Sequence, residues 1–128
     1  MDAIGDGDRY LNLETFRRDG RGVKTPVWFA EGPPDAAGRR LFVYTTGDAG
    51  KTKRVRRDGI ARVAPCDMKG TVRGPWSAAV ATIGSAEEFA LGMRLLDRKY
   101  FPWKQILNLS ARIFHPGRQR VVLVIRPG

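Results

Sequence analysis

The chain has 128 residues, 42% of them hydrophobic and 28% charged, which is the composition of one globular domain and not of a disordered segment. Its net charge of +10 favours a negatively charged partner such as nucleic acid, an anionic membrane surface or a phosphorylated small molecule. The single cysteine, Cys66, excludes an internal disulfide. The N-terminus is too acidic for a secretory signal, and no apolar run reaches the roughly 20 residues that cross a bilayer. A cytoplasmic protein without a membrane span is therefore expected.

The first part of the chain predicts a three-stranded antiparallel meander. Apolar or β-branched residues alternate with polar ones over 10–17, 23–30 and 40–46, and the segments between them carry turn and loop residues. The stretch 31–40, which includes two prolines, is expected to be a loop. Pro26 has no amide to donate, so its position predicts a sheet edge or a place where the strand faces something other than a neighbouring strand.

The rest of the chain predicts helices and further strands. A short helix is expected over 49–57, and Ser85 with Glu88 forms a capping box that starts a second helix over 86–100. The other elements predicted are strands over 60–66, 76–83 and 121–125 and a helix from Pro102 to about Arg112. Such a strand-rich chain is best closed into a barrel, so the predicted fold is mostly β, with the helices outside it or across its mouth.

Few residues are suited to catalysis. The only histidine, His115, is expected in an exposed loop, and Cys66 has no second cysteine at metal-binding or redox spacing. The sequence shows no serine–histidine–aspartate arrangement, zinc site or Walker loop, and we predict neither a catalytic residue nor a metal ligand. If the protein is an enzyme, a cofactor must supply the chemistry.

The most unusual segment is DAGKTKRVRRDG (48–59), in which five basic residues fall within seven positions directly after Gly50. The first amides of a helix are unpaired, so basic side chains beside them make an anion site. On a helix Lys51 and Arg54 share a side, whereas Lys53, Arg56 and Arg57 share another. Only part of the cluster can therefore reach one phosphate, and spacing alone is equally compatible with a solvated surface.

A nucleic-acid interface is the alternative use of this charge. Single-stranded nucleic acid is bound by aromatic side chains interleaved with basic ones. No aromatic residue lies between Lys51 and Arg73. Nucleic acid is therefore ranked second as a partner.

Several segments together resemble a known family. TFRRDGRGVKTPVWFA (15–30), LFVYTTGDAGKTKRVRRDG (41–59), VAPCDMKG (63–70) and the last strand, VVLVIRP, are similar to the pyridoxamine 5'-phosphate oxidase-like FMN-binding split barrels, and most similar to the branch of coenzyme F-420-dependent oxidoreductases. The resemblance implies a six-stranded split barrel over residues 1–128, with 1–8 as a flexible tail. It also implies a homodimer that holds FMN or F-420 between its subunits.

The resemblance also implies a set of cofactor-binding residues. Lys51 matches the phosphate lysine of the family, and Arg54 is a second candidate contact. Ala49 stands where many relatives have serine, which removes one hydroxyl from the phosphate site. The remaining residues implied are Thr25, Pro26, Val27 and Trp28 along the ring system and Thr45, Thr46 and Gly50 near the phosphate.

The function expected from the resemblance is hydride transfer between FMN or F-420 and a small organic substrate, without a protein acid–base catalyst. The alternatives are a non-catalytic protein that carries the cofactor and a nucleic-acid-binding module. Arg56, Arg57 and Arg62 exceed the needs of one phosphate, and a long anionic tail on the deazaflavin is one explanation for them. The resemblance does not identify the substrate.

Overall fold

The computed structural model of the protein describes residues 1–100 and 119–128. Eight elements follow one another along this part of the chain. They are β1 (Tyr10–Phe16), β2 (Gly22–Asp35), β3 (Gly38–Thr46), α1 (Gly50–Arg57), β4 (Ile60–Cys66), β5 (Ser77–Ile83), α2 (Ala86–Tyr100) and β6 (Arg120–Pro127). The helix predicted over 102–112 and His115 lie outside the described residues.

The six strands form a closed antiparallel barrel in the order β1-β2-β3-β6-β5-β4. The predicted meander is its first half, and the last strand closes the barrel by pairing with both β3 and β5. This confirms the mostly β fold with six strands and a short helix after the third strand. Closure pairs the strand edges that would otherwise invite association with another chain.

The interior of the barrel is filled by every second residue of each strand, as the side-chain period of two requires. These residues form one buried apolar cluster. Its large strand members are Leu11, Leu13, Phe29, Leu41, Val43, Val63, Val121, Leu123 and Ile125.

The segment 31–40 differs from the prediction. It is not a loop, because β2 continues to Asp35 and β3 begins again at Gly38. Pro33 and Pro34 have no amide for the ladder, and the β2–β3 register shifts between Gly32 and Asp35, where they lie. The two prolines therefore interrupt the pairing locally without ending the strand.

Strand β2 pairs with β1 and with β3 along different parts of its length. It pairs with β1 from Gly22 to Trp28, whereas its pairing with β3 begins at Phe29. Pro26, opposite Asn12 of β1, thus lies where β2 has no β3 partner, which agrees with its predicted place at an edge. Within the closed strand order, the first half of β2 and the end of β3 are therefore not joined by backbone pairing.

Residues from outside the strands also belong to the barrel core. Val55 of α1 and Ile4 of the N-terminal segment belong to the same buried cluster as the strand residues. Residues 1–8, expected to be a flexible tail, contact the barrel in this structure. The Arg39 guanidinium donates to the carbonyls of Met1 and Ile4, both at 2.8 Å.

Helix α2 begins at Ala86, as predicted. The Ser85 amide donates to the Glu88 carboxylate at 3.1 Å and the Glu88 amide to the Ser85 hydroxyl at 3.2 Å, which completes the capping box. The helix packs outside the barrel, where Leu96 and Tyr100 are buried against Ala30. In the part of the chain that the structure describes, no helix is long and apolar enough to span a membrane.

Candidate functional site

The first turn of α1 contains no negatively charged side chain. Ala49 occupies the N-cap position with no side-chain hydrogen bond, and the first turn has no acidic residue. The preceding backbone is fixed, because the Thr46 carbonyl accepts from the Ala49 amide at 3.2 Å and from the Thr52 hydroxyl at 2.8 Å. The first helix amides, from Gly50 onward, are thus held in place, and the N-cap residue gives them no side-chain acceptor. This is the arrangement that binds phosphate groups.

Lys51 is a half-buried cation in the first turn of α1. Burial lowers the pKa of its ammonium group, and repulsion from Arg54 lowers the pKa further. Lys51 forms no ion pair with any of the described carboxylates. A charged group that is partly removed from water and unpaired carries a free-energy cost, which a bound anion would offset.

Arg54 lies on the same side of α1 and is fixed by β1. Its Nε donates to the hydroxyl of Thr15 at 2.7 Å, and Thr15 itself is buried. Burial lowers the pKa of the Arg54 guanidinium, and so does repulsion from Arg17 and Arg57. A Cβ at Gly50 would lie 2.9 Å from Arg54 Nη1, so glycine leaves room for the guanidinium beside the helix start.

Arg56 and Arg57, which are not needed to bind a single phosphate, form other contacts within the protein. Arg56 donates to the Gly47 carbonyl at 2.9 Å. Arg57 donates to the Phe16 carbonyl and pairs with Asp58. These two side chains tie α1 to the chain around it.

Arg62 belongs to a different part of the surface. Its guanidinium pairs with Glu14 at 3.2 Å and lies 5.1 Å from the ring centre of Trp76. Lys24 approaches the same ring to 5.2 Å. Lys24, Glu14 and Arg62 are in register across β2, β1 and β4, so they form an alternating row of charges beneath one tryptophan.

The residues predicted along the ring system lie on the part of β2 that has no β3 partner. Val27 packs against the barrel core, whereas Trp28 stacks on Tyr100 with ring centres 4.6 Å apart and planes 5° apart. Pro26 is half-buried and lies beside Gly70. Thr25 is half-buried opposite Leu13. The side chains thus point to both faces, and what these residues share is a backbone edge that does not pair with β3.

The two threonines predicted near the phosphate differ in their surroundings. Thr45 is buried and pairs with Val121 of β6. Thr46 is half-buried, and its carbonyl is already used to start α1. The structure brings Thr46, Gly50, Lys51 and Arg54 together in consecutive turns, while the β2 residues lie where β2 has no β3 partner.

Sequence reasoning missed Thr15 and Arg17. Thr15 shares the inward side of β1 with Leu11 and Leu13 by alternation, a signal that the sequence carries. Helix α1 covers this end of β1 through a contact between Arg54 and Thr15, which are 39 positions apart. The alternation of residues along a strand does not predict such a contact.

The described residues contain no group of three or more histidine, cysteine, aspartate or glutamate side chains that could hold a metal ion. Cys66 is buried, and burial raises the pKa of its thiol to about 11. The thiol is therefore neutral near pH 7 and a weak nucleophile.

No protein-family model matches the sequence, and a search of curated proteins finds no match. Solved structures do match. A conserved hypothetical protein of Mycobacterium tuberculosis, Rv2991, superposes with a TM-score of 0.65 at 21% identity, over 95% of this chain and 74% of that chain. A candidate pyridoxamine 5'-phosphate oxidase from Listeria innocua gives 0.56 at 16% identity, over 93% and 83%. A protein described as an F420 reductase gives 0.53 at 18%, over 96% and 89%.

A haem-binding protein from Mycobacterium smegmatis also has this fold. It superposes with a TM-score of 0.63 at 14% identity, over 98% of this chain and about half, 48%, of that chain. At these identities the likeness shows the fold alone. The fold is that of the split barrels, and the solved structures that match include a candidate pyridoxamine 5'-phosphate oxidase, an F420 reductase and a haem-binding protein.

Proposed function

We propose, from the premise that this chain has the pyridoxamine 5'-phosphate oxidase-like split-barrel fold, that it binds FMN or coenzyme F-420 and serves as an oxidoreductase. The reaction would be hydride transfer between the cofactor and a small organic substrate. The observation that carries the proposal is the half-buried Lys51, which has no ion-pair partner among the described residues, beside Arg54 at a helix start without a side-chain cap.

The residues present fit a phosphate group. Two cations and the first amides of α1 supply only donors, and Ala49 adds no hydroxyl. The pKa of both basic groups is lowered by burial and by neighbouring cations, so a dianion between them would relieve a repulsion that is present in the free protein.

The edge of β2 that does not pair with β3 fits a flat ring system. Residues 25–28 have no β3 partner, and Pro26 presents no amide there that would need one. The stack of Trp28 on Tyr100 holds this part of β2 in place. When bound, the cofactor supplies the hydride chemistry. The chain's own residues bind its phosphate and orient its ring.

A homodimer with the cofactor between its subunits belongs to this proposal. Ile60 and Val80 are opposite each other in register on β4 and β5, and they are 59% and 47% exposed. Exposed apolar pairs on a sheet face are a common feature of association surfaces. Light scattering of the purified protein should give twice the mass of the chain, and a monomer at micromolar concentration would contradict a dimeric site.

The test of cofactor binding is direct. Purified protein should take up one FMN or F-420 per subunit in a fluorescence titration, and any copurified cofactor is identified by absorbance and mass. Binding of neither cofactor at micromolar concentration would refute the proposal. Anaerobic mixing with the reduced cofactor and a panel of acceptors then tests turnover.

A non-catalytic carrier is the second candidate function. It is favoured by one observation, the presence of a haem-binding protein among the solved structures with this fold. Tight cofactor binding without reoxidation by any acceptor would support the carrier. A haem Soret band in place of flavin absorbance would identify a haem protein.

A further inference from the structure

A cleft of about 340 Å³ lies between the N-terminal segment and the segment after β4. It is separate from the α1 cluster, because none of its lining residues belongs to α1. One wall is formed by residues 7–10, and the other by Cys66, Asp67, Met68 and Arg73. The volume is at the lower end of the range of small-molecule sites.

Part of the cleft lining is uncharged. Tyr10 and Cys66 face each other in register on β1 and β4, and the Cys66 thiol is held neutral by burial. Met68 is 67% exposed at the same cleft. A phenol, a thiol and a thioether together form a surface that accepts the apolar body of a ligand.

The two carboxylates of the cleft are engaged within the protein. Asp8 Oδ2 accepts from the Gly5 amide at 2.9 Å. Asp67 Oδ1 accepts from the amides of Lys69 and Thr71, both at 2.9 Å. These bonds shape the two walls and use one oxygen of each carboxylate.

The two arginines of the cleft are not engaged in the same way. Within the described residues, the guanidinium groups of Arg9 and Arg73 form no hydrogen bond or ion pair. Their backbones are anchored, since the Arg73 amide donates to the Pro65 carbonyl at 2.7 Å and the Arg9 carbonyl accepts from the Tyr100 hydroxyl at 2.6 Å. Each guanidinium retains five N–H donors. Backbone hydrogen bonds lower the pKa of the nearby Asp67 carboxyl, and the charge of Arg73 lowers it further, so the cleft offers guanidinium donors close to its carboxylates.

We propose that this cleft binds a small organic carboxylate, with Arg9 and Arg73 on the carboxylate and Tyr10 and Met68 beside its apolar body. Arginine pairs with carboxylate through two parallel hydrogen bonds, which gives orientation as well as affinity. The inference stands without the proposed cofactor. Tyr10 is in register with Trp28, so the cleft borders the β2 segment proposed for the ring.

The test uses the full chain and benzoate as the probe. Titration of ¹⁵N-labelled protein with benzoate should give saturable shifts of amides at residues 7–10 and 66–73. Benzyl alcohol, the neutral probe of similar shape, should bind about tenfold more weakly or worse. Arg73→Gln should weaken benzoate binding by about tenfold. Arg18→Gln, at an exposed turn outside the cleft, removes the same charge and should have no effect.

Three results would overturn the inference. The first is the absence of saturable shifts in the cleft. The second is equal loss in Arg73→Gln and Arg18→Gln, which would reduce the binding to the net charge of the protein. The third is equal affinity for benzoate and benzyl alcohol. A thermal unfolding curve of Arg73→Gln like that of the parent protein ensures that a loss of binding is not a loss of fold.

Discussion

Arg54 of α1 donates through Nε to the hydroxyl of Thr15 at the end of β1, at a distance of 2.7 Å. The bond fixes one edge of the guanidinium and leaves its terminal nitrogens for another acceptor. Thr15 is buried, so the position of Arg54 is set by the barrel wall and not by the exposed helix alone.

Thr15→Val removes this bond while keeping the shape of the side chain. We expect phosphate-bearing ligands to bind about three- to tenfold more weakly, since Arg54 would no longer be held in place. Thr15→Ser keeps a hydroxyl and should restore most of the affinity. FMN titrations of the three proteins provide the measurement. Equal affinities would show that Thr15 does not position Arg54 for binding.

Lys51→Ala should weaken FMN or F-420 binding by about 1–3 kcal/mol, the loss of one charge-assisted contact. Lys53→Ala is the matched control, because Lys53 is exposed on the same helix and carries the same charge. The two variants are compared by fluorescence titration at one salt concentration. Similar losses in both would mean that the effect is general electrostatics and would remove Lys51 from the site.

Lys51→Met should stabilise the ligand-free protein at pH 7 by about 0.5–1 kcal/mol, because the native state no longer holds a half-buried, repelled ammonium group. The folded pKa of Lys51 is lowered, so its stability penalty is fully present below that pKa. The penalty fades as the pH rises towards the unfolded value. Urea denaturation at pH 7 and pH 10 should therefore show a smaller gain at pH 10. A gain that does not change with pH would contradict this explanation.

Tyr100→Phe should destabilise the fold by about 1–3 kcal/mol, since it leaves buried backbone groups unsatisfied. The Tyr100 hydroxyl accepts from the Phe29 amide at 3.1 Å and lies 2.6 Å from the Arg9 carbonyl. Burial raises the pKa of this phenol, so it keeps its proton throughout the usual pH range. Urea denaturation measures the change, and the stack on Trp28 is retained by the phenylalanine ring. A variant as stable as the parent would show that these bonds contribute little.

The elements that could be predicted from the sequence are those with local signals. The start of helix α2 was predicted correctly, because the Ser85–Glu88 capping box is a local signal. Strand β4 was also predicted with both ends correct. The segment 31–40 was predicted wrongly, since two adjacent prolines indicate a loop locally, whereas a register shift lets β2 continue past them.

The site could be predicted only in part. Lys51 and Arg54 share a side of α1 by helical geometry, which is local. The sequence does not report that Thr15 lies beside Arg54, that Arg56 and Arg57 hold backbone carbonyls, or that residues 1–8 are fastened by Arg39. These are contacts between distant segments, and only the closed barrel brings them together.

Helix α1 has two roles that cannot be separated. Its Val55 completes the barrel core, while Lys51 and Arg54, on the same two turns, are the proposed phosphate contacts. Opening of the barrel interior at this end must then involve movement of the same helix, and a phosphate bound at its start would hold it closed. Amide hydrogens of the inner strands should exchange with solvent more slowly when the phosphate is bound, although none of them touches it.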